Sequence, residues 1–184
     1  MRNVPIDFFR RKTPGFTLLE FAVVSVVAGV IALVFLGRLS AYQELAEKTA
    51  AEATATNIRS SLRYRAAELL LHNRGNEIAG LLEENPVTWL NTLPPNYLGA
   101  LSKPQWSQIQ PGYWYFDTSS GEVRYRIKAY RYFTPGPSGQ PLLRFRVTAA
   151  VRPGKDRSTT IDGVNFSLVE PYKWFDSTSY STDK

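Results

Sequence analysis

The longest apolar run lies near the N-terminus, where residues 16–36 contain a single charged side chain, Glu20. As a helix these 21 residues would span about 31 Å at ~1.5 Å per residue, which matches a bilayer core of roughly 30 Å. Arg10, Arg11 and Lys12 precede the run, and such basic residues usually stay cytoplasmic. The pattern predicts one membrane-spanning helix, with everything after Leu36 outside the cytoplasm.

A helical pattern continues beyond the apolar run. Residues 39–72 contain neither proline nor glycine, and their apolar side chains recur at three- and four-residue steps. Glu44 and Glu47 fall on the opposite, polar face. Residues 72–75 provide a helix stop, with Gly75 expected as the cap. One continuous helix is therefore expected from the start of the apolar run to about residue 72, with one apolar stripe on which a domain can pack.

From Gly112 onward, apolar and polar residues alternate with a period of two, which is typical of half-buried strands. Four strands are predicted, at residues 113–117, 122–133, 142–152 and around 164–168. Short helices and loops punctuated by proline are expected over residues 76–110, with a helix start at Asn85. The fold class is therefore α+β: a long N-terminal helix, transmembrane in its first half, packed against an antiparallel sheet of about four strands.

The junction between the basic and the apolar residues has a specific form. Gly15 and Phe16 are followed by Thr-Leu-Leu-Glu, so that Glu20 stands four residues after Phe16. This segment resembles the class III signal of type IV pilins and of the pseudopilins of type II secretion. The resemblance implies that prepilin peptidase cuts between Gly15 and Phe16 and methylates the new N-terminus. A secretory signal peptide fits less well, because no small-x-small cleavage site follows the apolar run.

Periodicity and the resemblance together divide the chain into four segments. They are a leader peptide at residues 1–15, a transmembrane and assembly helix at 16–37, the periplasmic half of the long helix at 38–72, and a globular α+β pilin-like domain at 73–184. The leader holds four of the 22 basic residues and one of the 16 acidic residues. Removing it leaves 18 basic and 15 acidic residues, so the net charge falls from +6 to +3.

Glu20 is unusual in a membrane helix. A carboxylate near the middle of such a helix costs roughly 2.5–3.5 kcal/mol, and less near its end. Two explanations stay open: Glu20 offsets the helix dipole and the N-terminal ammonium of its own chain, or it pairs with the Phe16 ammonium of a neighbouring subunit. The resemblance implies the second explanation, with Phe16 and Glu20 as the assembly pair and Gly15 and Phe16 as the processing residues.

Basic residues alternate along two of the predicted strands, which would place them on the outer face of the sheet. This basic row consists of Arg124, Arg126, Lys128, Arg144, Arg146 and Arg152. Basic residues mixed with aromatic ones can grip phosphates and stack bases, so a filament-tip binder of DNA or of a surface is the alternative function. A solvated sheet face, or contact with acidic surfaces of adjoining subunits, explains the same row.

Residues suited to catalysis or metal binding are scarce. The chain has one histidine and no cysteine, which removes the commonest bases, nucleophiles and zinc ligands. No enzymatic activity and no cofactor are therefore expected. The resemblance brings a calcium site into consideration, because major pseudopilins hold calcium in a C-terminal loop. The two acid pairs of this chain, Asp156 with Asp162 and Asp117 with Glu122, lack the spacing of a known calcium loop and are interpreted as solvated turn residues.

The resemblance implies a structural role, as a minor pilin or pseudopilin of a type IV pilus or of a type II secretion pseudopilus. The expected partners are other pilin or pseudopilin subunits, prepilin peptidase, the inner-membrane assembly platform and the lipid bilayer. The expected location is the inner membrane, crossed once. The N-terminus would be cytoplasmic, and the C-terminal domain would be periplasmic or part of an extracellular filament.

Overall fold

The computed structural model describes residues 15, 17–153 and 159–175, without the side chains of residues 151–153 and 159–162. The chain divides into two compact units, Met1–Ser40 and Ala41–Lys184. Its one described α-helix, α1, spans Leu18–Leu71. The described strands are β1 (Tyr97–Leu101), β2 (Trp114–Asp117), β3 (Glu122–Arg126), β4 (Phe133–Thr134), β5 (Leu142–Pro153), β6 (Thr159–Leu168) and β7 (Lys173–Trp174). Short 3₁₀ helices lie at Gly75–Leu82, Pro86–Trp89 and Trp106–Gln108.

The described residues of the first unit, 15 and 17–40, are mostly apolar and exposed. Every side chain described in it is exposed, including large apolar ones such as Phe21, Val30 and Phe35. The most apolar window of α1 has a mean hydropathy of 2.6, and none of that window is buried. By length and composition this helix could cross a membrane. The helix continues through Gly37, in agreement with the prediction of one long helix.

In the second unit, α1 packs on the sheet through one apolar stripe. Ala51, Ala55, Ile58, Leu62 and Leu69 are buried in a core that also contains side chains of β2, β3, β5 and β6. Burying one aliphatic side chain such as Leu62 stabilises a fold by about 1.5–3 kcal/mol. The stripe predicted from the three- and four-residue spacing is confirmed between Ala55 and Leu69, whereas Leu39, Tyr42 and Leu70, which the same spacing assigned to it, are exposed.

The C-terminal end of α1 differs in one detail from the prediction. The backbone N–H of Arg74 donates to Leu69 O at 2.8 Å, and that of Asn73 donates to Leu70 O at 3.1 Å. These two bonds form a Schellman motif, whose left-handed residue is Asn73 with a φ of 57°. Asn73, and not Gly75, therefore ends the helix.

The main sheet has five strands in the order β1-β2-β3-β5-β6. Neighbours from β2 to β6 are antiparallel, as predicted, but β1 lies parallel to β2 and was not predicted. Strand β6 begins at Thr159, ahead of residues 164–168, where the fourth strand was predicted. A second, two-stranded sheet pairs β4 with β7. The fold class is confirmed, with a mixed sheet of five strands in place of an antiparallel sheet of about four.

The prediction of a long second strand at residues 122–133 was wrong, because β3 ends at Arg126. Two glutamates of α1 bind the backbone that follows. Glu47 accepts hydrogen bonds from the backbone N–H groups of Lys128 at 2.6 Å and of Ala129 at 2.9 Å. These donors are thereby lost to the ladder of a sheet, which explains the early end of the strand.

Glu44 continues the same arrangement one turn earlier on α1. Its carboxylate accepts from the backbone N–H groups of Arg131 and Tyr132 and from the indole Nε1 of Trp174, at 3.2, 2.8 and 3.0 Å. Only 1% of Glu44 is exposed. The placement of Glu44 and Glu47 on a solvated helix face was therefore wrong: both carboxylates face the domain and hold residues 128–132 and β7.

Candidate functional site

The start of α1 contains a capping box. Glu20 N donates to Thr17 Oγ1 at 3.2 Å, and Thr17 N donates to Glu20 Oε2 at a longer 3.5 Å. In this reciprocal arrangement each residue satisfies a backbone donor that the helix leaves unpaired. Thr17 is a site residue that the sequence analysis missed, although the spacing Thr-x-x-Glu before an apolar run is a readable signal.

The capping box places Glu20 in the first turn, where a carboxylate offsets the positive end of the helix dipole. Glu20 is exposed, and its Oε1 has no hydrogen-bond donor among the described residues. Gly15 is also exposed, whereas Phe16 and residues 1–14 lie outside the described residues. The geometry thus gives Glu20 a local role and leaves one carboxylate oxygen for a further donor.

Three residues of the basic row, Arg124, Arg144 and Arg146, bind one buried acid, Glu122. We call these three residues the arginine cluster. Glu122, only 1% exposed, accepts from Arg124 Nε at 2.8 Å and from Arg146 Nη2 at 2.9 Å. Arg144 adds two bonds, from Nε at 3.0 Å and from Nη2 at 2.9 Å. The sheet register causes this convergence, since Glu122 pairs with Arg146 and Arg124 pairs with Arg144.

Two further carboxylates balance the charge of this arginine cluster. Asp117 Oδ2 lies 2.8 Å from Arg124 Nη1, and Glu170 Oε1 lies 3.7 Å from Arg144 Nη1. Asp117 also accepts from the backbone N–H and hydroxyl of Ser119, at 3.0 and 2.6 Å. Three guanidinium groups therefore face three carboxylates, so that the cluster has no net charge.

The pKa values of these acids reflect the same contacts. Burial by itself would raise the pKa of Glu122, but hydrogen bonds from Arg144 and Arg124 outweigh burial and hold that pKa below its usual value. Burial likewise opposes ionisation of Asp117, and the bonds from Ser119 together with the charge of Arg124 bring its pKa below the usual value. Both carboxylates are ionised at neutral pH, which keeps the arginine cluster paired.

The remaining basic residues of the row are arranged differently. The Arg126 guanidinium lies 4.0 Å from the ring centre of Trp106, and its Nη1 donates to the backbone oxygens of Trp106 and Ile109. Lys128 lies beyond the end of β3 and is exposed. The side chain of Arg152 lies outside the described residues. The arginines predicted on β3 and the first half of β5 do share one face, but they do not form an uncompensated basic surface.

The acids considered for calcium have other partners where the structure describes them. Asp117 and Glu122 bind the serine and arginine donors of the cluster, so their oxygens do not form an open cation site. Asp156 and the side chain of Asp162 lie outside the described residues. Among residues that are described, no group of three or more histidine, aspartate or glutamate side chains could hold a metal ion.

Comparison of the chain with known protein families, with curated proteins and with solved structures finds no match. The structure establishes the architecture of the chain. One long, apolar N-terminal helix leads into an α+β unit in which the later turns of that helix pack on a sheet. This architecture is pilin-like.

Proposed function

We propose that the chain is a structural subunit, a minor pilin or pseudopilin, of a type IV pilus or a type II secretion pseudopilus. The observation that carries the proposal is the start of α1. The helix begins directly after the Gly15–Phe16 junction, with Glu20 in its first turn and a fully exposed apolar surface beyond it. A surface of this size requires a membrane or the helices of partner subunits to cover it.

In the proposed mechanism, prepilin peptidase removes residues 1–15 and frees an ammonium group on Phe16. The Glu20 carboxylate then pairs with the Phe16 ammonium of a neighbouring subunit. The single long hydrogen bond to Glu20 Oε2, and the absence of a described donor at Oε1, support this role because the carboxylate keeps acceptor capacity. Pairing in a medium of low dielectric would offset part of the cost of a charge in the membrane.

Variants at Glu20 and Thr17 test this mechanism. Glu20→Gln should be processed and inserted normally, but its recovery in sheared filaments should fall strongly because the amide cannot pair with an ammonium group. Thr17→Ala removes the hydroxyl cap but keeps the carboxylate, so it should assemble nearly as well as the natural protein. The amide oxygen in Glu20→Gln can still accept from Thr17 N, so loss of assembly in this variant reports the missing charge and not a missing cap. Unchanged assembly of Glu20→Gln would refute the role of Glu20.

The alternative function, DNA or surface binding by the basic row, gains little support from the geometry. Arg124, Arg144 and Arg146 are committed to carboxylates, and phosphate contacts would have to displace those pairs. The nucleic-acid hypothesis stays a prediction, and a steep fall of affinity with salt would be its signature.

A further inference from the structure

A groove of about 620 Å³ lies at the end of β3. This volume is within the range of ~300–1,000 Å³ that is usual for binding clefts. Its walls include Trp106, Tyr130, Pro111 and Pro141, and its two charged residues are Arg126 and Lys128. We call this feature the basic groove. Aromatic and proline side chains give it firm apolar walls that can pack against a partner.

The basic groove differs from the arginine cluster in its charge. No carboxylate is among its lining residues, all of which belong to the described part of the chain. Arg126 is held over Trp106 by stacking and by two bonds from Nη1, while its Nε and Nη2 have no described acceptor. The groove therefore presents two positive charges, one of them on a rigidly held guanidinium, and fits a partner segment that carries carboxylates.

A segment with exposed carboxylates occurs elsewhere in the same chain. Glu83 and Glu84 follow the 3₁₀ helix Gly75–Leu82 and are exposed. Glu84 accepts a hydrogen bond from Trp89 Nε1 at 3.0 Å. Glu83 is the one acid, among side chains that the structure describes, for which no side-chain hydrogen bond or ion pair is found. We call these two residues the acidic turn.

The acidic turn follows an element that packs on the core side of the sheet, whereas Arg126 of the basic groove belongs to the opposite face. Ile78 and Leu81, just before the acidic turn, are buried in the core together with Val123 and Tyr125 of β3. Arg126 alternates with Tyr125 along β3 and shares the opposite face with Arg124. Among the described residues of one molecule, no hydrogen bond or ion pair joins the acidic turn to Arg126 or Lys128, so a second copy is the source of the missing partner.

We propose that the basic groove of one copy binds the acidic turn of a second copy. The contact joins two different surfaces, so it is heterologous and repeats head to tail, in a ring or in an open filament. The inference rests on the proposed function, since a filament is the setting in which copies repeat, and it names the globular-domain contact that the N-terminal helix does not supply.

Cysteine crosslinking in the full-length protein tests the contact, because the natural chain contains no cysteine. One copy carries Lys128→Cys and a second, differently tagged copy carries Glu83→Cys, in cells that hold the assembly machinery. A short bis-maleimide should join the two tags in membranes and in sheared filaments. Thr148→Cys serves as the matched control, because Thr148 is exposed on the same sheet face but lies farther along β5. Its crosslink to Glu83→Cys should be several-fold weaker.

Charge reversal separates a contact from a folding defect. Lys128→Glu and Glu83→Lys should each lower recovery in sheared filaments, and the two changes in one chain should restore it, which a folding defect would not do. The proposal is overturned if the crosslink does not exceed that of the Thr148 control, or if Lys128→Cys joins only another protein. If the cysteine variants are still processed normally and recovered normally in filaments, such a crosslinking result overturns the contact but leaves the proposed function intact.

Discussion

Replacing Glu44 by alanine should lower the free energy of unfolding by about 2–6 kcal/mol. The substitution removes one acceptor group that serves three donors: the backbone N–H groups of Arg131 and Tyr132 and the indole N–H of Trp174. Trp174 is buried, so leaving its N–H unsatisfied costs about 1–3 kcal/mol. The two loop donors lie in an exposed segment where water can replace the carboxylate, so each loses only about 0.5–1.5 kcal/mol.

Urea unfolding of the full-length protein in detergent micelles, followed by tryptophan fluorescence, measures this effect. Glu52→Ala is the matched control: Glu52 lies on the same helix, is exposed, and has only a 3.9 Å ion pair to Lys48. Its cost should stay within about 0.5 kcal/mol. In Glu44→Ala, hydrogen exchange at the amides of Arg131 and Tyr132 should also accelerate. A cost no larger than that of Glu52→Ala, with unchanged exchange, would refute the anchoring role of Glu44.

Two further predictions concern the arginine cluster. Arg144→Gln should destabilise the domain by about 1–3 kcal/mol, because buried Glu122 loses two charge-assisted bonds while it keeps those from Arg124 and Arg146. Urea unfolding measures this cost, with Thr148→Ala as an exposed control. Stability should also fall at acidic pH. The pKa values of Asp117 and Glu122 lie below their ordinary values of 3.8 and 4.5, so their stabilising contribution is present above those values and is lost as the pH falls through the lower folded values. Asp117→Asn should make the acid limb of the stability profile shallower, and an unchanged limb would contradict this.

The elements that the sequence predicts well are those whose signals are local. The long helix and its apolar stripe follow from spacing within α1, and β2, β3 and β5 begin within a residue of their predicted starts. The cap at Asn85 is also local, since its side chain accepts from the N–H of Val87 at the start of a 3₁₀ helix. The capping box at Thr17 was equally local and could have been predicted.

The missed features depend on contacts between distant residues. Glu44 meets Tyr132 and Trp174 across roughly 90 and 130 residues of chain, and no local pattern distinguishes such a glutamate from a solvated one. The local sequence around Glu122 is that of a turn acid, and only the antiparallel register of β5 places arginines against it. Strand β1 is short, contains Gly99 at a positive φ of 96°, and pairs in parallel, so it lacks the alternation that identified the other strands.

If the chain is a processed pilin-like subunit, its mature form begins at Phe16, and the N-terminus of the protein in membranes shows whether it does. The protein should be extracted from membranes of cells with and without prepilin peptidase and analysed by intact-mass and N-terminal mass spectrometry. We expect a chain that begins at Phe16 with an N-methyl group when the peptidase is present, and a chain that retains residues 1–15 when the peptidase is absent. A chain that begins beyond Leu36, or that keeps its leader in both strains, would contradict it.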